Sequence, residues 1–376
     1  MQVYRFSAPG RTELGGNHTD HQRGCVLAAA VDLETTAEVV LNGDGVIRVF
    51  SEGYAPVEVR LDDLEVHAGE ENTTAALVRG VAAEFIRRGA VLRGFDARVR
   101  SNVLPGSGLS SSAAFEVLMG TILNELFFDQ SLAPVEVARI GQYAENVYFG
   151  KPCGLMDQMA SAMGGMVFID FEYPACPVVE RIDFDLQAAG YALCIIDTGA
   201  DHADLTVEYA AIPEEMKAVC AFFGKDVLRQ IPKEDFLAAL PKLRGHVPDR
   251  AILRAIHFYH ENDRAQQQAE ALRAGDVEMF LALVRESGRS SWMYLQNITP
   301  TGAVEQQALA FTLALCEELL AGRGAYRVHG GGFAGTVQAF VPQELLEAFR
   351  IGIESVLGEG KCHVLSLRAA GGVRLS

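Results

Sequence analysis

Apolar and polar positions alternate through much of the first hundred residues. Val3–Phe6 reads as a short strand running into a turn at Ala8-Pro9-Gly10. Val26–Val31 and Thr35–Leu41 are β-branched and apolar, which predicts two strands, and Val46–Phe50 and Val57–Leu61 predict two more. The period then changes. Leu77, Val78, Val81, Ala82, Phe85 and Ile86 recur at helical spacing, so 74–88 is expected to be an amphipathic helix. Phe95, Ala97, Val99, Ser101 and Val103 alternate again and stop at Pro105. Gly106, Ser107 and Gly108 follow, then three serines, then an apolar run of helical spacing.

Pro134 opens a further helix to about Phe149. Lys151-Pro152-Cys153-Gly154 break it, LMDQMASAM forms a short segment, and Gly164-Gly165 turn into a strand at Met166–Asp170. The texture changes near residue 170. Tyr191–Asp197 reads as a buried strand. Most of 205–322 reads as helical, punctuated by Pro213, Pro232, Pro241 and Pro248. Tyr326–His329 and Thr336–Val341 are strands about a Gly330-Gly331-Gly332 turn, and a helix (343–356) and a strand (363–368) end the chain. Helices and strands mix without regular βαβ alternation, which predicts an α+β fold. The change of texture divides the chain into 1–170 and 171–376.

Composition narrows the class. The 376 residues are 49% hydrophobic and 22% charged, as in a soluble enzyme with a sizeable core. A formal charge of −17 argues against a nucleic-acid or anionic-membrane partner. Seven scattered cysteines form no CxxC pair and offer no zinc ligand set. With no leader sequence and no apolar run of membrane-spanning length, the expected location is cytoplasmic, with reduced thiols.

Three glycine-bearing polar segments stand out: 8–24, 103–116 and 329–336. A strand, a glycine-rich turn and a helix start, as at 103–116, make an anion cradle. The same residues also fit a serine-capped helix with no ligand. The turn is neither GxxxxGK[ST] nor a dinucleotide fingerprint. Arg11, Glu13, Asn17, His18, Asp20 and His21 crowd one short segment, in a density of donors and acceptors that suits a polyhydroxylated ligand or a solvated loop. Glu145 and Asp157 are two carboxylates in apolar surroundings, one placed to hold a cation and one to take a proton, or both simply at the surface. His257 and His260 lie one helical turn apart and are expected on an exposed helix face. Trp292, the sole tryptophan, is expected in the core.

Together APGRTELGGNHTDHQRG, LPGSGLSSSAAFE, GKPCGLMDQM and HGGGFAGT resemble the galactokinase branch of the GHMP kinase superfamily, in order and spacing over essentially the whole chain. The resemblance implies two α+β domains with an active site in the cleft between them. It implies an ATP-dependent sugar 1-kinase that phosphorylates the anomeric hydroxyl of galactose. ATP would lie on Pro105, Gly106, Ser107, Gly108, Leu109, Ser110, Ser111, Ser112 and Ala113, with magnesium on Ser112 and Glu145. Asp157 matches the residue that takes or orients the anomeric proton, and Arg11 its positive partner. Asn17, His18, Asp20, Gly154 and Tyr209 match sugar-contacting positions. The implied partners are a small sugar and ATP, and the implied assembly is a monomer or weak homodimer.

The chain departs from the family's R-x-N-L-I-G-E-H-x-D-Y motif. Glu13 replaces the Asn, Asn17 replaces the Glu and His21 replaces the Tyr. Tyr209-Ala210-Ala211-Ile212-Pro213 replaces Y-N-x-R-R, and the aromatic segment flanking the adenine is not recognisable around 72–78. Losing the carboxylate at 17 would relieve repulsion against a uronic acid, so a sugar altered at C6, such as galacturonate, is the alternative substrate. A non-catalytic sugar- and ATP-binding regulator is a second alternative.

Overall fold

The computed structural model describes residues 2–104, 108–151, 153–200 and 205–376. Pro105, Gly106 and Ser107 of the expected phosphate loop lie outside the described residues, as does Pro152.

The alternating N-terminal pattern builds a mixed sheet. Its strands are β1 (Tyr4–Gly15), β2 (Cys25–Leu41), β3 (Val46–Ser51), β4 (Val57–Arg60) and β5 (Phe95–Ser101). Helices α1 (Thr74–Arg87), α2 (Ser111–Phe127), α3 (Pro134–Tyr143) and α4 (Met156–Met163) cover it. Val81 and Phe85, Leu118 and Ile122, Ile140 and Met159 meet Phe6, Val39 and Phe95 in one core. Strands β6 (Met166–Asp170) and β7 (Val178–Ile182) extend the sheet from the first half of β2.

A second sheet holds β8 (Tyr191–Asp197), β9 (Ala325–His329), β10 (Thr336–Pro342) and β11 (Cys362–Leu365), in the order β11-β8-β10-β9. Between β8 and β9 the chain forms α5 (Thr206–Phe222), α6 (Lys233–Leu243), α7 (Asp249–Arg273), α8 (Val277–Ser290) and α9 (Ala308–Leu320). Together with α10 (Leu346–Leu357), α9 packs on the second sheet, while α7 and α8 share a core with residues of both sheets. Strand β12 (Val373–Arg374) returns to pair with β1. The first sheet therefore draws strands from both sides of residue 170. The fold is α+β. Among the described residues no helix is long and apolar enough to cross a membrane.

The structure differs from the sequence pattern at particular points. Strand β1 does not turn at Ala8-Pro9-Gly10. It continues to Gly15 through a register shift between Pro9 and Arg11, since a bulge accommodates a proline that has no amide to donate. Arg11 therefore sits on a strand, its amide donating to the Leu109 carbonyl at 3.0 Å. The two expected strands at 26–41 are one: β1 pairs with β2 on both sides of Val31–Leu33, where the register shifts and the C-terminal segment takes over the pairing through Val31 with Leu367 and Asp32 with Ser366. Pro213 and Pro241 lie inside helices rather than ending them. Trp292 is not in the core but 48% exposed. His257 is fully buried while His260 is exposed.

Candidate active site

Helix α2 begins without a side-chain cap. Ser110, its N-cap residue, is left-handed (φ 57°, ψ 69°), and its hydroxyl makes no cap bond. A non-glycine residue held there is strained. The serine-capped reading of this turn thus fails in the structure: the first-turn amides keep their donor capacity, and no acidic residue occupies that turn. This is the arrangement that receives an anion. Ser112 lies four residues before Glu116, so both sit on one face of α2.

Arg11 ties this loop to the first polar segment and to α4. Arg11 grips Asp157 in a fork, Nε to Oδ1 at 2.8 Å and Nη2 to Oδ2 at 2.7 Å. Its remaining nitrogen donates to the Gly108 carbonyl. Asp157 stands in the first turn of α4 and keeps about a third of its side chain exposed, whereas Arg11 is almost wholly buried. The carboxylate is therefore positioned and still reachable.

Asp20 lies in the same corner, close enough to feel the charges of both Asp157 and Arg11. Burial raises its pKa. Gly154 is required beside it, for a Cβ there would come within 2.3 Å of Asp20 Oδ2. On the other side, His18 Nε2 donates to the Gly331 carbonyl at 3.1 Å, and burial lowers its pKa. The Tyr209 hydroxyl donates to the Gly332 carbonyl at 2.7 Å, and Gly331 leaves room for the Tyr209 ring. His21 meets His18 edge to face at 5.6 Å. Its Nε2 is buried without a hydrogen-bond partner, and burial, reinforced by His18, pushes its pKa down to about 3.

Asn17 is wholly engaged by the protein. Its amide donates to the Gly330 carbonyl at 2.7 Å and to Glu13 Oε1 at 3.3 Å. Its Oδ1 accepts from Asn297 at 3.0 Å and from Ser291 at 3.4 Å. Those four contacts exhaust its capacity. Glu13 in turn pairs with the fully buried Arg327. Burial raises the Glu13 pKa against the opposing pull of that guanidinium.

Glu145 reaches the site from a π-turn over Ala144–Phe149 that extends α3. The Gln158 amide bridges two carboxyls, donating to Glu145 Oε2 and Glu116 Oε2 at 2.9 Å each. Glu116 is fully buried, its Oε1 has no partner, and burial with the nearby Glu145 charge drives its pKa well up. Among the described residues no group of three or more His, Cys, Asp or Glu could hold a metal. Glu145, which also meets Lys151 at 3.4 Å, is a hard oxygen donor of the class magnesium takes alongside waters and phosphate oxygens.

Comparison with known proteins agrees with this geometry. Residues 2–40 match the galactokinase galactose-binding signature, and residues 76–165 match the GHMP kinase N-terminal domain. A galactokinase of Streptomyces coelicolor is 32% identical over 93% of this chain and 87% of its own length. The chain belongs to the galactokinase family of GHMP kinases. The crystal structure of Lactococcus lactis galactokinase complexed with galactose superposes with a TM-score of 0.83 at 26% identity, covering 100% of this chain and 95% of that one. Methanococcus jannaschii mevalonate kinase shares the fold, with a TM-score of 0.67 at 14% identity over 96% of this chain and 98% of its own.

Several residues that support the first polar segment gave no functional signal in the sequence. Helix α7 acts as a polar strut beneath that segment. Glu261 Oε1 accepts the amides of Gly16 and Asn17, at 3.2 and 3.4 Å, and the Ser287 hydroxyl at 2.6 Å. His257 Nε2 donates to the Asn17 carbonyl at 2.9 Å, while Nδ1 is hydrogen-bonded to the Ser290 hydroxyl at 2.8 Å. Burial lowers its pKa to about 4, so near neutral pH the ring is uncharged and Nδ1 accepts from Ser290. The i, i+4 relation of Glu116 to Ser112 was available in the sequence. The partners of Glu261, His257, Arg327 and Asn297 were not.

Proposed function

We propose that the chain transfers the γ-phosphoryl group of ATP to the anomeric hydroxyl of galactose, giving galactose 1-phosphate. One observation carries this reading: the Arg11–Asp157 fork stands between the uncapped start of α2 and the corner formed by Asp20 and Gly154. The sugar's reacting hydroxyl would face Asp157, which accepts or orients its proton. Arg11 fixes that carboxylate and places positive charge where the transferred group becomes more negative. The α2 amides and Ser110–Ser112 cradle the triphosphate. Ser112 and Glu145 would hold magnesium, whose part is to neutralise phosphate charge. Asp20, His18, Gly154 and Tyr209 surround the sugar hydroxyls, and the free Nε2 of His21 adds a neutral hydrogen-bonding group. Asn17 shapes this pocket through Gly330 and Glu13.

Kinship favours galactose over a uronic acid, since the 32% identical relative is a galactokinase. Glu13 keeps an acid in the motif, 3.3 Å from the Asn17 amide, with its charge paired to Arg327. ADP release from purified protein with a panel of sugars tests the assignment. Galactose should be turned over and galacturonate should not. Asp157→Ala should lose about 10²–10⁴ in kcat. Sugar and ATP binding with no turnover in the native protein would overturn it in favour of a regulator.

A further inference from the structure

We propose that the hollow walled by α8, the π-turn after it, α9 and the turn into β9 is a second ligand site, for a small aromatic phosphate, and that its occupancy is felt at the sugar loop. The hollow measures about 390 Å³, and its lining contains none of the residues assigned above to sugar, phosphate or magnesium. That volume accommodates a single ring bearing one phosphate.

Its charge runs against the rest of the molecule. In a chain of net charge −17, Arg285, Arg289 and Arg323 converge on one cavity. The one acid in its wall, Glu317, takes the Tyr326 hydroxyl. Arg285 donates to the Gly324 carbonyl at 2.6 Å, which orients its guanidinium. Arg323 lies 3.6 Å from Glu344, both well exposed, a contact too weak to hold it from a better anion. Arg289 has no ion pair among the described residues. Guanidinium groups so arranged suit a phosphate, which they take in bidentate fashion.

The ring-binding element is equally distinct. Trp292 and Met293 stand 48% and 59% exposed on a π-turn over Ser291–Leu295. A large aromatic side chain beside guanidinium groups provides a stacking face, and π-turns concentrate at functional positions. The same turn runs to the sugar loop. Ser291, next to Trp292, and Asn297, just beyond the turn, both donate to Asn17 Oδ1. A ligand that shifts Trp292 therefore acts one residue from a contact of the first polar segment.

Trp292 is the sole tryptophan, so its emission reports this hollow alone. Phenyl phosphate titrated into the intact protein should change that emission saturably. Inorganic phosphate and phenol should each bind at least about tenfold more weakly. Arg289→Glu, or Arg323→Glu if the first variant loses its native circular dichroism, should weaken phenyl phosphate by about tenfold or more. Lack of saturation, equal binding of phosphate alone, or undiminished binding by the variants would overturn the site. The coupling limb rests on the sugar-kinase reading and is measured separately. Saturating phenyl phosphate should shift the galactose KM at least about threefold, and galactose should shift the phenyl phosphate affinity by a similar factor. Saturable binding with neither shift would overturn the coupling and leave the kinase assignment standing.

Discussion

Asn17 donates its side-chain amide to the Glu13 carboxylate at 3.3 Å, and that carboxylate also holds the buried Arg327 guanidinium. Family members of the kind this chain resembles carry the amide and the acid the other way round. The exchange keeps one of each in the motif and gives the acid a cation 314 residues away.

Removing that acid should be severe. Glu13→Gln leaves Arg327 charged and fully buried, with its own Nη1 already lacking a partner. A loss of ~3–5 kcal/mol is expected, visible as a lower urea midpoint. Combining it with Arg327→Met, which removes the stranded charge, should restore more than half of that loss. A double variant as unstable as the sum of its single changes would refute the pairing.

Gly154→Ala tests the corner around Asp20 without removing a polar group. The added methyl would stand 2.3 Å from Asp20 Oδ2, and that carboxylate must move. Misplacement by about 1 Å can cost 10²-fold in rate. Galactose kcat/KM should therefore fall by at least about tenfold, with an unchanged melting midpoint.

His257 makes stability depend on acid. Its folded pKa of about 4 lies below the ordinary 6.5, so the unfolded chain binds the extra proton between those values. Its contribution is fully present above pH 6.5 and falls as pH drops toward 4, by up to ~1.4 kcal/mol per pH unit. His257→Gln should be less stable than the native protein at pH 7.5, and the gap should narrow by pH 5. Parallel urea midpoints at the two pH values would refute a neutral, buried ring.

Glu116 predicts the opposite slope. Its pKa is raised by burial and by Glu145, so the folded state binds the proton more readily than the unfolded state above pH 4.5. Its contribution is present at low pH and lost as pH rises through the folded value. Glu116→Gln lacks this term. Relative to the native protein, the variant should gain stability from pH 5 to pH 8, as read from paired denaturant midpoints.

The elements that lie close along the chain were legible. The strand at 95–101 and the helix at 111–127 were readable because residues within a few positions set their backbone geometry. Arg11 and Asp157 were readable through motif resemblance. The reading failed where a local signal met a distant partner. Pro9-Gly10 reads as a turn, yet pairing with β2 carries the strand through it. His257 and Trp292 exchanged their expected surroundings, because periodicity shows that a helix has faces but not what covers each one.

By itself the sequence determined the α+β fold, the family and the order of the polar segments, all of which depend on short-range pattern. Tertiary structure alone decided what those segments touch. Arg11 meets Asp157 across 146 positions, and Asn17 meets Asn297 across 280. Such contacts depend on how the sheets and α7 come together. A buried polar atom must find a partner there, but nothing in its own neighbourhood along the chain specifies which one.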